Sequence, residues 1–131
     1  MVLIQQLRKI LQDECQNQLE FAILFGSEAV GKALPISDVD VAIKTTIDNA
    51  YSRFQLRKNL ISILEGKIKK RIDVVNLEDL PLNFQFEILK SGQVILENDL
   101  QARLNYLEKV LILYPDYRIY LDRFWKINTQ E

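Results

Sequence analysis

Two carboxylates separated by one residue, Asp38 and Asp40, immediately precede the apolar segment Val41-Ala42-Ile43, and the pair Gly26-Ser27, with ten residues between it and Asp38, closes the apolar run Phe21–Phe25. This spacing predicts a strand, a small-residue turn, a loop, and a second strand that carries two acids. Alternate side chains of a strand share a face, so Asp38 and Asp40 point one way and Val39 the other. Neighbouring carboxylates on an apolar strand repel each other and call for a counter-charge. A divalent cation supplies it, and Mg²⁺ characteristically takes one or two carboxylates together with substrate phosphates. A turn made of glycine and serine lets backbone N–H groups approach a phosphate closely. Metal and phosphate in one cleft mean nucleotide chemistry.

A third acid, Asp73, sits in the apolar sequence Arg71-Ile72-Asp73-Val74-Val75. If its strand lies beside the second one, Asp73 joins Asp38 and Asp40 in a three-carboxylate cluster. Two metal ions would then fit between the acids and a nucleoside triphosphate, one activating an attacking hydroxyl and the other stabilising the departing pyrophosphate. Asp73 is the candidate general base. The alternative is structural: Arg71, two residues earlier on the same strand face, is placed to pair with it. The basic run Lys67, Lys69, Lys70 and Arg71 reads as a solvated lead-in to this strand, or else as a contact for triphosphate or for an acidic partner.

The elements that must position these residues follow from periodicity. Ile4, Leu7, Leu11 and Cys15 recur at helical spacing and predict a helix over 2–19. Strands are expected at 20–25, 38–44 and 72–77, with a loop over 26–37. A helix over 49–66 would present Tyr51, Phe54, Ile61 and Leu64, leave Arg57 off that face and stop at Gly66. Pro81 opens a short helix to about Lys90, and Gln93–Glu97 is a candidate edge strand. Leu100, Leu104, Leu107 and Leu111 form a stripe expected in the core of a C-terminal helical region, about 98–128, which Pro115 should break or kink. Tyr106, Tyr114, Tyr117, Tyr120, Phe124 and Trp125 are too many for one narrow stripe, so some should face a partner. Helices alternating with short strands predict a single α/β domain over 1–131, its catalytic core at about 20–80 and its mixed sheet of three to four strands flanked by helices.

Composition removes several classes of function. The 131 residues contain no histidine, which excludes a Ser-His-Asp triad, a Cys-His pair and a histidine-bound zinc. Cys15 is the sole cysteine, so an internal disulfide is impossible. A net charge of −1, from 17 basic and 18 acidic residues, shows none of the basic excess that binding a nucleic-acid backbone usually needs. No direct nucleic-acid contact is expected. The N-terminal stretch lacks the apolar block of a signal peptide, and no segment is long enough to cross a bilayer, so a cytoplasmic protein with no membrane association is expected.

Gly26-Ser27, Ser37-Asp38-Val39-Asp40 and Asp73 together resemble the motif set of the minimal nucleotidyltransferases, relatives of DNA polymerase beta. Within that family the chain looks most like the antitoxins of HEPN/minimal-nucleotidyltransferase toxin–antitoxin systems. The resemblance implies a small nucleotidyltransferase fold and Mg²⁺ dependence, with Asp38, Asp40 and Asp73 as metal ligands and catalytic residues. It implies a nucleotide site at Gly26, Ser27 and Ser37, and transfer of AMP from ATP to a tyrosine hydroxyl of a HEPN RNase toxin, which is thereby silenced. Relatives commonly have arginine where this chain has Val30; Lys32, two residues on, is the candidate replacement charge at the triphosphate. Neutralisation of the toxin by binding alone, and modification of a small molecule, are the rival functions.

Overall fold

The computed structural model describes residues 2–26 and 38–129, without the side chains of 116–121 and 124–129. In chain order the elements are α1 (Leu3–Cys15), β1 (Leu19–Phe25), β2 (Val39–Thr45), α2 (Ala50–Ile68), β3 (Ile72–Asn76), α3 (Leu82–Ser91), β4 (Gln93–Glu97) and α4 (Leu100–Thr129), with single 3₁₀ turns at Gln16–Gln18 and Leu77–Asp79. The strands form one mixed sheet in the order β3-β2-β1-β4. β1 is antiparallel to β2 and to β4. β3 runs parallel to β2, and α2 supplies the crossover that a parallel pair requires.

Period-two alternation divides the sheet's side chains between two helical layers. Ala22, Leu24, Val39, Val41, Ile43, Ile72 and Val74 face α1 and α2, meeting Leu7, Leu11, Leu56, Leu60 and Leu64. Phe21, Ile23 and Ala42 face the other way, toward Ile88 of α3 and Tyr106 and Val110 of α4. Both outer strands carry an arginine on a mid-strand carbonyl. Arg8 of α1 donates its Nε to the Ile95 carbonyl at 2.6 Å, and Arg57 of α2 donates its Nε to the Val74 carbonyl.

Several element boundaries depart from the periodicity. Gly66 does not stop α2, which continues until Lys69 takes a left-handed conformation (φ 64°) and donates its N–H to the Glu65 carbonyl. Ile68 packs against the core beyond the glycine, and that burial outweighs the roughly 1 kcal/mol helix penalty of one glycine. The face that α2 buries is Leu56, Leu60 and Leu64; Tyr51 and Phe54, expected on it, are exposed. α4 likewise continues past Pro115 instead of ending there. Pro115 and Leu111, whose carbonyl loses its helical donor, are both exposed, so water can serve that carbonyl.

The largest correction concerns the Leu100–Leu111 stripe. Leu100, Leu104 and Leu111 lie 53%, 43% and 50% exposed, and among the described side chains of α4 the buried ones are Tyr106 and Val110. Tyr106 sets this rotation of the helix. Its ring meets Phe21 edge-on with centroids 6.1 Å apart, and its hydroxyl donates to Gln85 Oε1 of α3. Tyr114 stacks on Phe86 with ring centroids 4.0 Å apart. Among the described residues, no helix is long and apolar enough to cross a membrane.

Candidate active site

The acids gather where β1 ends and β2 and β3 begin. Phe25 pairs with Asp40 across β1 and β2, and Asp40 pairs with Asp73 across β2 and β3. Three adjacent strands therefore bring the Gly26 turn, Asp40 and Asp73 into one row. Parity places Asp40 and Asp73 on the α3 side of the sheet, the side of Ala42 and Val75. Asp38 lies just before β2 and is exposed. The backbone bond from Val39 N–H to the Arg71 carbonyl, 2.9 Å, ties the starts of β2 and β3 together.

Gly26 has φ +76°, a conformation in which a side chain is strained, and a Cβ there would collide with the Asp40 carboxylate. Only glycine lets the turn pass that close to Asp40. Burial comes first, then the charges of Asp73 and Asp38, in pushing the Asp40 carboxyl above the ordinary carboxylate range. The carboxylates thus strain against one another, as expected of groups arranged to share a cation.

Each of the other two acids has an arginine close by. Arg57 Nη2 stands 3.3 Å from Asp73 Oδ1, and Arg71 Nε lies 3.9 Å from Asp38 Oδ1. Arg71, the alternative structural partner for Asp73, stands beside Asp38, and α2 supplies Arg57 to Asp73, reaching around the outer edge of β3. That contact had no signal in the sequence beyond a basic residue off the apolar face of a helix. Lys67 of the basic run pairs with Glu14 of α1 at 3.4 Å.

A cleft of about 550 Å³ opens on this row of acids. Gly26, Asp40 and Asp73 line its polar end, and Val75, Leu80, Pro81, Phe84 and Ile88 line an apolar wall, with Glu87 and Ser91 beside them. The sequence had not marked the residues of α3 as part of a site. Ser27, Lys32 and Ser37, expected at the nucleotide, lie outside the described residues, as does Val30.

The donor set fits a hard divalent cation at Asp40 and Asp73: two carboxylates in strand register, mutually repelling, on the wall of an open cleft. Among the described residues, no group of three acidic or sulfur side chains is close enough to hold a metal unaided. A cation here would therefore take further ligands from phosphate oxygens or water, as Mg²⁺ habitually does.

Solved structures share the fold over nearly the whole chain. A toxin–antitoxin with AMP-PNP has a TM-score of 0.77 at 19% identity, covering 98% of this chain and 100% of that one. The toxin–antitoxin MntA-HepT has a TM-score of 0.73 at 18% identity, covering 97% of each chain. The tri-AMPylated Shewanella oneidensis HEPN toxin in complex with MNT antitoxin contributes a chain with a TM-score of 0.72 at 18% identity, covering 98% of this chain and 100% of that one. At such identities the likeness is one of fold. No curated protein matches the chain in sequence. The family described as polymerase beta, nucleotidyltransferase matches residues 5–101, which include the glycine turn and all three acids, and the chain belongs to that family.

Proposed function

We propose that this nucleotidyltransferase is an antitoxin that transfers AMP from ATP to a tyrosine hydroxyl of a HEPN toxin and thereby silences it. The observation that carries the reading is the row formed by Gly26, Asp40 and Asp73 on three adjacent strands, open to a cleft large enough for a nucleotide. Its biological side draws support from solved structures of the same fold: one with AMP-PNP, another with an AMPylated HEPN toxin.

In this reading the triphosphate lies against the turn at Gly26, where the missing Cβ admits a phosphate beside Asp40. Ser27, Ser37 and Lys32, outside the described residues, are proposed as further phosphate contacts on the motif alone. Mg²⁺, which Asp40 and Asp73 would hold with phosphate oxygens and which Asp38 would join only by moving its side chain, would neutralise phosphate charge and ease ionisation of the attacking hydroxyl when bound. Asp73 accepts the proton of the tyrosine hydroxyl as its oxygen bonds to the α-phosphorus. The bond from that phosphorus to the bridging oxygen breaks, and pyrophosphate leaves with the electron pair. Arg57, anchored on the Val74 carbonyl, stands beside the Asp73 carboxylate and limits its movement.

The test is label transfer from [α-³²P]ATP with Mg²⁺ to a HEPN toxin encoded beside this protein. The expected outcome is a labelled toxin with lost RNase activity, and no label with Asp38→Asn plus Asp40→Asn. Transfer that persists in the double variant rejects the mechanism. A binding-only antitoxin is the second reading, favoured by Val30 and by the arginines that stand beside Asp38 and Asp73. It predicts that the double variant still protects cells and that the protected toxin carries no added mass.

A further inference from the structure

We infer that the cleft is divided along α3, and that its Asp73 end is a seat for a phenolic ring, built by Val75, Leu80, Pro81 and Phe84 to select tyrosine over aliphatic hydroxyls as acceptor. This deepens the AMP-transfer reading and rests on it for the identity of the reaction.

The direction of α3 divides the cleft. At its C-terminal end a Cβ on Gly92 would meet the Ile23 side chain and the Leu24 carbonyl, so that end lies on β1, next to the Gly26 turn. At the other end, Leu80 and Pro81 follow directly from β3 and the Leu77–Asp79 turn. Ser91 and Phe84 both line the cleft, and the helical rise separates them by roughly 10 Å along the axis. Phosphate chemistry belongs to the Gly26 end and proton acceptance to the Asp73 end.

Beyond Asp73 the wall is apolar. Val75 follows on the same face of β3, about 6–7 Å further along the strand, which is close to the span of a tyrosyl side chain from Cβ to hydroxyl. A phenol with its oxygen at Asp73 therefore lays its ring over Val75 and toward Leu80, with Pro81 and Phe84 beside it. Phe84 is 56% exposed although it lines a cleft. An uncovered aromatic in that place is suited to stack on an incoming ring.

The same wall continues outward. Val75 and Leu80 also line an adjoining hollow on the outer side of β3, together with Phe54, itself 45% exposed, and the polar Arg57, Asn76 and Asp79. The wall therefore extends from the site around the sheet edge, beyond the cleft itself. It fits an acceptor ring presented on a protein.

The experiment measures binding by NMR with no nucleotide present, using a short peptide containing tyrosine and the same peptide with serine in its place. The tyrosine peptide is expected to shift Val75, Leu80 and Phe84 resonances, and the serine peptide to leave them unmoved. Phe84→Ala, at an exposed position that leaves folding intact, should weaken the tyrosine peptide about fivefold or more while ATP affinity stays as in the parent. Equal binding of both peptides overturns the inference. So does a loss in Phe84→Ala that falls on ATP instead of the peptide, since the wall would then seat the nucleobase. A protein that binds the tyrosine peptide at this wall but labels no toxin upholds the seat and refutes AMP transfer.

Discussion

On one face of the sheet, Leu60 and Leu64 of α2 and Leu7 and Leu11 of α1 close over Val39, Val41 and Val74, and every one of these side chains is buried. On the opposite face the covering helices close over Phe21, Ile23 and Ala42, but beside Asp40 and Asp73 the sheet lies open to the cleft under α3. The difference arises within single strands. Val39 and Val41 enter the sealed side while Asp40 between them enters the open one, so the hydrocarbon that anchors β2 also holds its carboxylate in place. Stability and chemistry are interleaved residue by residue, not assigned to separate segments.

Substitutions that act on one face should register differently from those on the other. Leu64→Ala, at a fully buried position of the sealed face, should lose about 3 kcal/mol in urea unfolding. A loss under about 1 kcal/mol would show that this face is loosely packed. Gly26→Ala forces an L-residue to φ +76° against Asp40, at about 1–2 kcal/mol from the backbone alone. Its transfer activity should fall much further than its stability, because Asp40 must move; equal losses would mean that the turn is merely structural. Leu104→Ser, on the exposed side of α4, should change unfolding free energy by less than about 0.5 kcal/mol. A larger loss would place that stripe in a folded interface between copies.

Asp40→Asn distinguishes the faces by sign. Burial, Asp73 and Asp38 push the Asp40 carboxyl upward, so its ionised form opposes folding. That penalty is absent below the ordinary carboxylate range and complete once pH has risen through the elevated folded value. The asparagine variant should therefore have a higher Tm than the parent at neutral pH, and the gain should vanish on acidification. A lower Tm at pH 7 would show that the carboxylates already have sufficient counter-charge.

The strands were readable because buried strands are written as short apolar runs, as in Phe21–Phe25 and Val41–Ile43. The neighbouring of Asp40 and Asp73 was readable only as a condition, that the third strand lie beside the second; the parallel register that meets it comes from the structure. The rotation of α4 was not readable at all. Leucines at four, three and four spacing describe an apolar side of a helix, yet the sheet covers a different one, chosen where the Tyr106 hydroxyl finds Gln85 and its ring finds Phe21. α2 misled for a related reason: Tyr51 and Phe54 continue an apolar pattern beyond the part of the helix that the sheet covers. Arg57 was invisible because its role depends on which edge of the sheet β3 occupies, a tertiary fact with no local mark.

The arginines on the two outer strands have a consequence for how this chain meets others. A sheet margin with free carbonyls and amides is a template on which another extended peptide can zip, and the result is often fibrillar aggregation. Here Arg8 occupies the Ile95 carbonyl and Arg57 occupies that of Val74, each planting a bulky cation halfway along a five-residue margin. Strand-by-strand growth is obstructed on both flanks, which leaves association to side chains on the helices and around the cleft.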